Sequence, residues 1–205
     1  PSGTAPFGRT RLVSIMPVGV LALQGDFREH IATFGKIGAA AVPIRTVREL
    51  ELCDSLVIPG GESTVIQKLA VAYGLFEPIR KKIQAGFPVF GTCAGLIMLA
   101  DEILDGVSGQ AGFGGLHVSV RRNAFGNQLD SFETNLEFVG VAGSPVHAAF
   151  IRAPIVERVG NDVEVLAKLP GDRIVAVRQN NILGISFHPE LTNETRIHEL
   201  FLRMV

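Results

Sequence analysis

The fold is decided by residues 87–100, which read FPVFGTCAGLIMLA. The first part, FPVF, is a short apolar run typical of a buried strand, and the last part, AGLIMLA, is an apolar run typical of a buried helix. A turn with Gly91 and Gly95 at its ends joins them, and Cys93 lies at its centre. Strand, tight turn and helix in this order predict a unit of a parallel α/β sheet.

The rest of the chain repeats this alternation of strands and helices. In the first half we predict strands at 18–23, 40–44, 55–58 and 88–90, and helices at 26–37, 64–72, 75–84 and 94–104. In the second half we predict strands at 116–121, 149–152, 163–167, 174–178 and 182–186, and a closing helix at 194–204. The expected fold class is α/β, a three-layer, open and mostly parallel sheet with helices on both faces. Ligands of such sheets bind at the carboxyl ends of the strands.

Length and composition limit the classes of protein to which this chain can belong. With 205 residues, 47% of them hydrophobic, we expect a single domain over residues 16–205. Residues 1–15 are interpreted as a leader or an expression-derived remnant, because the chain opens on proline and Met16 lies two residues before the first predicted strand. They lack the apolar run of a secretory signal, so secretion is not expected. A net charge of -1 argues against nucleic acid as a partner. No apolar run is long enough to span a membrane, and two cysteines are too few for a disulfide framework, so we expect a cytoplasmic protein.

Cys93 is the candidate nucleophile. The pattern Gly91-Thr92-Cys93-Ala94-Gly95 between a strand and a helix is a nucleophile elbow with cysteine in place of serine. The amino terminus of the helix favours the thiolate, which is the attacking form. The alternative is a small buried apolar residue, which is how we interpret Cys53.

His188 and Glu190 are the candidate base and its orienting group. They follow strand 182–186, so they are expected at a carboxyl edge, and Pro189 favours an extended backbone in which both side chains point the same way. Glu190 would then hold one ring nitrogen while the other faces the thiol. The remaining histidines are expected to be structural, His30 and His198 on helices, His117 in a strand and His147 in a turn.

A glycine turn at 59–64, PGGEST, follows strand 55–58. It lacks the lysine of a nucleotide-binding P-loop, so nucleotide binding is disfavoured. In acyl chemistry the same turn supplies an oxyanion hole, and we expect one N–H donor from Gly61 and another from Ala94.

Six blocks of sequence together identify a family. They are VLALQG at 20–25 with REH at 28–30, PGGEST at 59–64, GTCAG at 91–95, RNAFG at 122–126 with DSFE at 130–133, FIRAP at 150–154 and FHPELT at 187–192. In this order they resemble the glutaminase subunits of pyridoxal 5'-phosphate synthases, which are class I, triad-type glutamine amidotransferases. The resemblance covers residues 18–204 and implies the class I amidotransferase fold, which is flavodoxin-like.

The resemblance also implies the reaction. Cys93 would attack the side-chain amide of L-glutamine and form a thioester, with release of ammonia and then glutamate. The implied glutamine site consists of Gly61, Glu62, Ser63, Arg122, Ile151 and Arg152. The implied partner is a synthase subunit with a (β/α)8 barrel, which uses the ammonia to make the vitamin B6 cofactor. No cofactor and no metal are expected in this chain, and we class its expected chemistry under both hydrolase and lyase.

Two other classes of protein remain open at this point. Some α/β proteins carry an elbow cysteine as a redox or interaction module without catalysis, although the His188-Pro189-Glu190 segment argues against that class. A cysteine peptidase on a similar sheet is the second alternative.

Overall fold

The computed structural model describes residues 16–124 and 131–205. Within them, the strands are β1 (Val18–Leu21), β2 (Ala41–Ile44), β3 (Ser55–Ile58), β4 (Val89–Thr92), β5 (Ala100–Leu104), β6 (Leu116–Arg121), β7 (Ser131–Leu136), β8 (Val146–Ile151), β9 (Ile155–Val159), β10 (Glu164–Leu169), β11 (Arg173–Gln179) and β12 (Ile182–Ile185). The helices are α1 (Phe27–Lys36), α2 (Val47–Leu50), α3 (Ser63–Ala72), α4 (Phe76–Gln84), α5 (Ala94–Leu99) and α6 (Arg196–Leu202), and a 3-10 helix covers Pro189–Leu191. The interpretation of residues 1–15 lies outside the described residues.

The main sheet has a parallel half and an antiparallel half. The strand order is β2-β1-β3-β4-β12-β11-β9-β6-β5, with β10 beside β11. From β2 to β12 all neighbours are parallel, whereas β11 runs antiparallel to β12 and to β9. The expected α/β class is confirmed, and β1, β3, β4 and β12 end at one edge.

Two hydrophobic cores cover the two faces of this sheet. Side chains of the parallel strands alternate between them: in β3, Leu56 and Ile58 belong to one core and Val57 to the other. The first core packs against α3, α4 and α5, and the second packs against α1, α6 and the hairpin of β7 and β8. Because both faces are covered, β1, β3, β4 and β12 are buried along their full length.

The prediction of a helix over residues 94–104 is wrong for residues 100–104. All residues of α5 are buried, and the helix ends at Leu99. Continuing it would carry the acidic Asp101 and Glu102 into the core, and charged groups are costly to bury. The chain instead becomes extended at Ala100 (φ -66°, ψ 142°) and pairs with β6 as an exposed edge strand.

Other differences lie mostly in the antiparallel half. The prediction missed α2, β7 and β9, and it started β8 three residues late. The expected turn at His147 is therefore wrong, because this residue lies within β8 and pairs with Asn135 of β7. No helix among the described residues combines the length and the apolar character needed to cross a bilayer.

Candidate active site

Cys93 lies on a strained turn between β4 and α5. Its backbone has φ 50° and ψ -104°, a conformation that residues other than glycine rarely adopt. The two flanking glycines make the turn possible: a Cβ on Gly91 would lie 2.6 Å from the backbone of Gly95, and a Cβ on Gly95 would lie 2.0 Å from the carbonyl oxygen of Ile58. This geometry is the nucleophile elbow that the sequence predicts.

His188 and Glu190 form a buried hydrogen-bonded pair beside the thiol. The distance between His188 Nδ1 and Glu190 Oε1 is 2.7 Å, and both side chains are at least 95% buried. Because Nδ1 of His188 is paired with Glu190, Nε2 is the ring nitrogen left to interact with Cys93, and this interaction raises the pKa of His188. The pairing agrees with the sequence, but the backbone does not stay extended. Pro189 begins a 3-10 helix that turns Glu190 back under the ring of His188.

The surroundings of His188 favour its charged form. Burial lowers the pKa of His188, but the hydrogen bonds to Cys93 and Glu190 outweigh burial and raise the pKa to about 10. Burial raises the pKa of Glu190, and the imidazolium of His188 opposes that shift. Near neutral pH the proton therefore lies on His188, where it can be donated to a leaving group.

Asp26 brings a second carboxylate to His188. Its Oδ2 lies 3.5 Å from His188 Nδ1, and its side chain is 38% exposed. Asp26, His188 and Glu190 together offer ligand atoms within 4.8 Å of one another, so they are a possible cation site. A cation there would take Nδ1 of His188 away from Glu190 and would disrupt the triad.

The glycine turn after β3 lies against the same histidine. A Cβ on Gly60 would lie 2.3 Å from His188 Cε1, so the close approach of this turn requires glycine. Gly61 has φ +149° and packs on the amide of Gln24, whose Oε1 accepts a hydrogen bond from the N–H of Glu62 at 2.8 Å. The oxyanion donors Gly61 and Ala94 remain a prediction.

A cavity of about 410 Å³ opens above Cys93. The sequence-predicted substrate residues that line it are Gly61, Glu62, Ser63, Arg122, Ile151 and Arg152. The thiol of Cys93 lies 3.8 Å from the backbone oxygen of Ile151. Ala94 and Glu190 do not line the cavity, since Ala94 lies in the core behind the elbow and Glu190 is covered by His188.

A charged network forms one wall of this cavity. Arg122 donates to Glu62 Oε1 at 3.1 Å and to Gln110 Oε1 at 2.8 Å, and Gln110 in turn donates to Ser63 Oγ at 2.9 Å. Glu62 is half exposed, so its ion pair with Arg122 is weak and exchangeable. The wall thus offers a cation and an anion a few ångströms apart.

The sequence analysis did not predict that the side chains of several further residues belong to this site. Gln24, Asp26, Asn123 and Leu191 line the cavity, and Gln110 supports it from behind. The signal that could have found Gln24 and Asp26 is their place directly after β1, since the carboxyl ends of neighbouring parallel strands meet at one edge. Gln110 lies in a loop with no comparable signal.

Comparisons with known proteins agree with this geometry. The SNO glutamine amidotransferase family matches residues 20–205. A relative from Leifsonia xyli subsp. xyli, named pyridoxal 5'-phosphate synthase subunit PdxT, is 59% identical over 185 residues, which are 90% of this chain and 93% of the relative. A relative of the same name from Acidothermus cellulolyticus is 54% identical over 98% of this chain and 97% of its own length.

Solved structures give the same result at the level of the fold. A crystal structure titled as a glutamine amidotransferase is 50% identical and superposes with a TM-score of 0.85 over 91% of this chain and 97% of its own. A structure from Thermoplasma acidophilum, titled as a putative GMP synthase component, superposes with a TM-score of 0.67 over 93% of this chain and 94% of its own. At 16% identity the second structure is similar in fold alone.

The prediction that this chain's chemistry also falls under the lyase class is wrong. The matched family is one of glutamine amidotransferases. Release of ammonia from an amide through a thioester, with water as the final acceptor, is a hydrolysis and contains no elimination step.

Proposed function

The chain belongs to the SNO glutamine amidotransferase family, and from this premise we propose that it hydrolyses L-glutamine and passes the ammonia to a pyridoxal 5'-phosphate synthase. The observation that carries the proposal is the 2.7 Å pairing of His188 with Glu190 beside a cysteine on a strained elbow, at the floor of a polar cavity. Cys93, His188 and Glu190 are the proposed catalytic residues.

The first half-reaction forms a thioester. The sulfur of Cys93 attacks the side-chain amide carbon of glutamine, and the carbonyl electrons move onto oxygen. The N–H groups of Gly61 and Ala94 are proposed to stabilise that oxyanion. When the tetrahedral intermediate collapses, His188 donates its Nε2 proton to the departing amide nitrogen, which leaves as ammonia.

The second half-reaction returns the free enzyme. His188, now neutral, takes a proton from water, and the hydroxide attacks the thioester carbon. The C–S bond breaks, glutamate leaves, and the proton on His188 again pairs with the thiolate. Glu190 stabilises the imidazolium in both halves and keeps Nε2 directed at the sulfur.

The wall of Arg122 and Glu62 suits the other end of glutamine. A free amino acid carries an α-carboxylate and an α-ammonium group, and these match a guanidinium and a carboxylate respectively. Glutamine would replace the Arg122–Glu62 contact of 3.1 Å with one contact to each residue. Ser63, Ile151 and Arg152 complete the proposed substrate site around the amide and the carbon chain.

A synthase subunit is the proposed acceptor of the ammonia, because the close relatives are named as subunits of that synthase. A (β/α)8 barrel is the fold we propose for it from the resemblance. We propose that residues 16–205 act as a single glutaminase domain in the cytoplasm, where its two free cysteines stay reduced. Docking near Gln24 is proposed to turn the Gly60–Gly61 peptide so that its N–H faces the oxyanion.

The test measures ammonia and glutamate from L-glutamine, with and without the synthase subunit. Wild type is expected to release both, more rapidly with the synthase, and a diazoketone analogue of glutamine should label Cys93. Cys93→Ala should abolish release while keeping the fold, because the change is small and costs only about 1 to 3 kcal/mol. Ammonia release by a folded Cys93→Ala protein would contradict the proposal. Cleavage of casein would instead favour a peptidase, and no turnover of either substrate would favour a redox or interaction module.

A further inference from the structure

A buried histidine outside the proposed triad lies directly behind it. His30, on α1, has no exposed surface. Its Nε2 lies 3.1 Å from Thr92 Oγ1 and 3.5 Å from Glu190 Oε1. Thr92 is the residue before Cys93, at the end of β4. One imidazole therefore links the strand that carries the nucleophile to the carboxylate that orients the base.

The other side of the ring fixes where the proton of His30 lies. Nδ1 of His30 is 2.9 Å from Nε2 of His198, which is also fully buried. Burial lowers the pKa of His30 well below its ordinary value and lowers that of His198 to about 3, so each ring is neutral and carries one N–H. A single proton must therefore lie between the two rings.

The two possible positions of this proton differ in their free-energy cost. If His30 donated from Nδ1, its Nε2 lone pair would face the carboxylate of Glu190. His198 would then carry its proton on Nδ1, which has no hydrogen-bond partner among the described residues. If His198 donates from Nε2, the N–H of His30 lies on Nε2, where it hydrogen-bonds to Thr92 Oγ1 at 3.1 Å and faces Glu190 Oε1 at 3.5 Å. Only an acceptor on His198 is then left unpaired. Buried unpaired donors are rarer and more costly than unpaired acceptors, so the second arrangement is favoured.

We propose that His30 is a positioning residue for glutamine hydrolysis, with its Nε2–H holding the carboxylate of Glu190 against His188. This inference rests on the proposed function. Oε2 of Glu190 is buried and has no hydrogen-bond partner within residues 16–124 and 131–205, so the orientation of the carboxylate depends on the contacts of Oε1. Oε1 lies between His188 at 2.7 Å and His30 at 3.5 Å. A neutral donor at that place favours the charged carboxylate without competing for the proton of His188.

Two amide substitutions separate positioning from packing. The amide of His30→Gln reaches the place of Nε2 and can donate there, whereas the shorter amide of His30→Asn reaches only the place of Nδ1. Because the contact with Glu190 is long, we expect His30→Asn to lower kcat by about three- to tenfold with KM within about twofold, and His30→Gln to recover most of that loss. Phe34→Leu is the control, since Phe34 is buried on the same helix and packs on His198 without a described contact to the triad. It should lower the thermal midpoint with little change in kcat.

A second readout does not need turnover. The rate at which iodoacetamide alkylates Cys93, mapped by mass spectrometry to separate it from Cys53, follows the ionisation of the Cys93–His188 pair. Asp26, Glu190, Thr92 and His198 face this pair or His30 from within the protein. From the cavity, Cys93 is faced by the polar or charged side chains of Gln24, Glu62, Ser63, Arg122, Asn123 and Arg152 and by the backbone oxygen of Ile151. We expect the pH profile of alkylation to shift upward in His30→Asn and to return in His30→Gln.

The outcomes separate this inference from the proposed function. Equal kcat and equal alkylation profiles for His30→Asn and wild type would overturn the positioning role. If wild type releases no ammonia, the proposed function fails, and the alkylation profiles alone then decide whether His30 supports the pair. Should His30→Asn not fold, His30→Met takes its place, since its side chain fills a similar length of the site without a donor. An unchanged alkylation profile in that variant would overturn the positioning role.

Discussion

Replacing Glu190 by glutamine is the most direct perturbation of the proposed triad, because it removes one negative charge and keeps the size of the side chain. The pKa of His188 rises from an ordinary value of 6.5 to about 10. At about 1.4 kcal/mol per pH unit, this corresponds to about 5 kcal/mol of preferential stabilisation of the imidazolium. Burial acts in the opposite direction, so Cys93 and Glu190 together supply at least this amount.

Glu190 supplies part of this stabilisation, and a loss of about 2 kcal/mol corresponds to a fall in kcat of about 10- to 100-fold. KM is expected to stay within about threefold, because Glu190 does not line the cavity and contacts His188 rather than substrate. Steady-state ammonia release with the synthase present gives both constants. Asp26→Asn is the matched control, since Asp26 is the more exposed carboxylate and lies 3.5 Å from the same nitrogen.

The pH dependence gives a second measurement of the same effect. A raised folded-state pKa means that His188 contributes stability that is fully present below about 6.5 and is lost as pH rises toward about 10. Glu190→Gln lowers the folded-state pKa of His188, so the fall in unfolding free energy should still begin near 6.5 but should be smaller and end at a lower pH. A loss of glutamine binding with unchanged kcat, or an unchanged pH profile, would refute the assignment of Glu190 as the group that stabilises the imidazolium.

Three further predictions test the substrate wall, the elbow and the buried histidines. Arg122→Gln should raise KM for glutamine by about tenfold or more with a smaller effect on kcat, whereas Arg121→Gln, at an exposed ion pair, should leave both within about twofold. Gly95→Ala should destabilise the protein by about 3 kcal/mol in urea unfolding, because its Cβ would lie 2.0 Å from a carbonyl oxygen of β3. Gly35→Ala is the control: this residue lies on the open surface of α1, so the change should be neutral or stabilising. The pKa of His198 is lowered to about 3, so the stability from keeping it neutral is present above about 6.5 and is lost as pH falls. His198 should contribute about 2 kcal/mol to the fall in unfolding free energy from pH 7 to 5, and the fall should be smaller by about this amount in His198→Phe.

The parallel half of the sheet was predictable because its strands are buried on both faces. β1 to β4 lie within two residues of their expected bounds, as continuous apolar runs between glycines and polar residues. β7 was missed because its side chains are exposed or half-buried except at Leu136, so the sequence carries no apolar run there. β5 was missed because its first residue continues the apolar run of α5, and pairing with a distant strand decides the outcome.

The candidate site was predictable where a local pattern marks it. Cys93 lies between two glycines, and His188 and Glu190 flank a proline, so each piece can be recognised within a few residues. The contacts of Asp26 with His188 and of His30 with His198 join residues far apart in the chain, and only the folded sheet brings them together. A buried histidine on a helix has the same local sequence whether it contacts a carboxylate or only core side chains.

The position of β12 has a consequence for synthesis of the chain. Although it is the last strand of the described residues to be made, it is inserted in the middle of the sheet, between β4 and β11. On a ribosome adding about 5 to 20 residues per second, β4 waits on the order of ten seconds for this neighbour. During that interval one hydrogen-bonding edge of β4 stays open to other nascent chains, which favours binding by a chaperone. Cys93, the proposed nucleophile, is likewise made long before His188, its proposed base, so the nascent chain passes through a stage that has the thiol without the histidine.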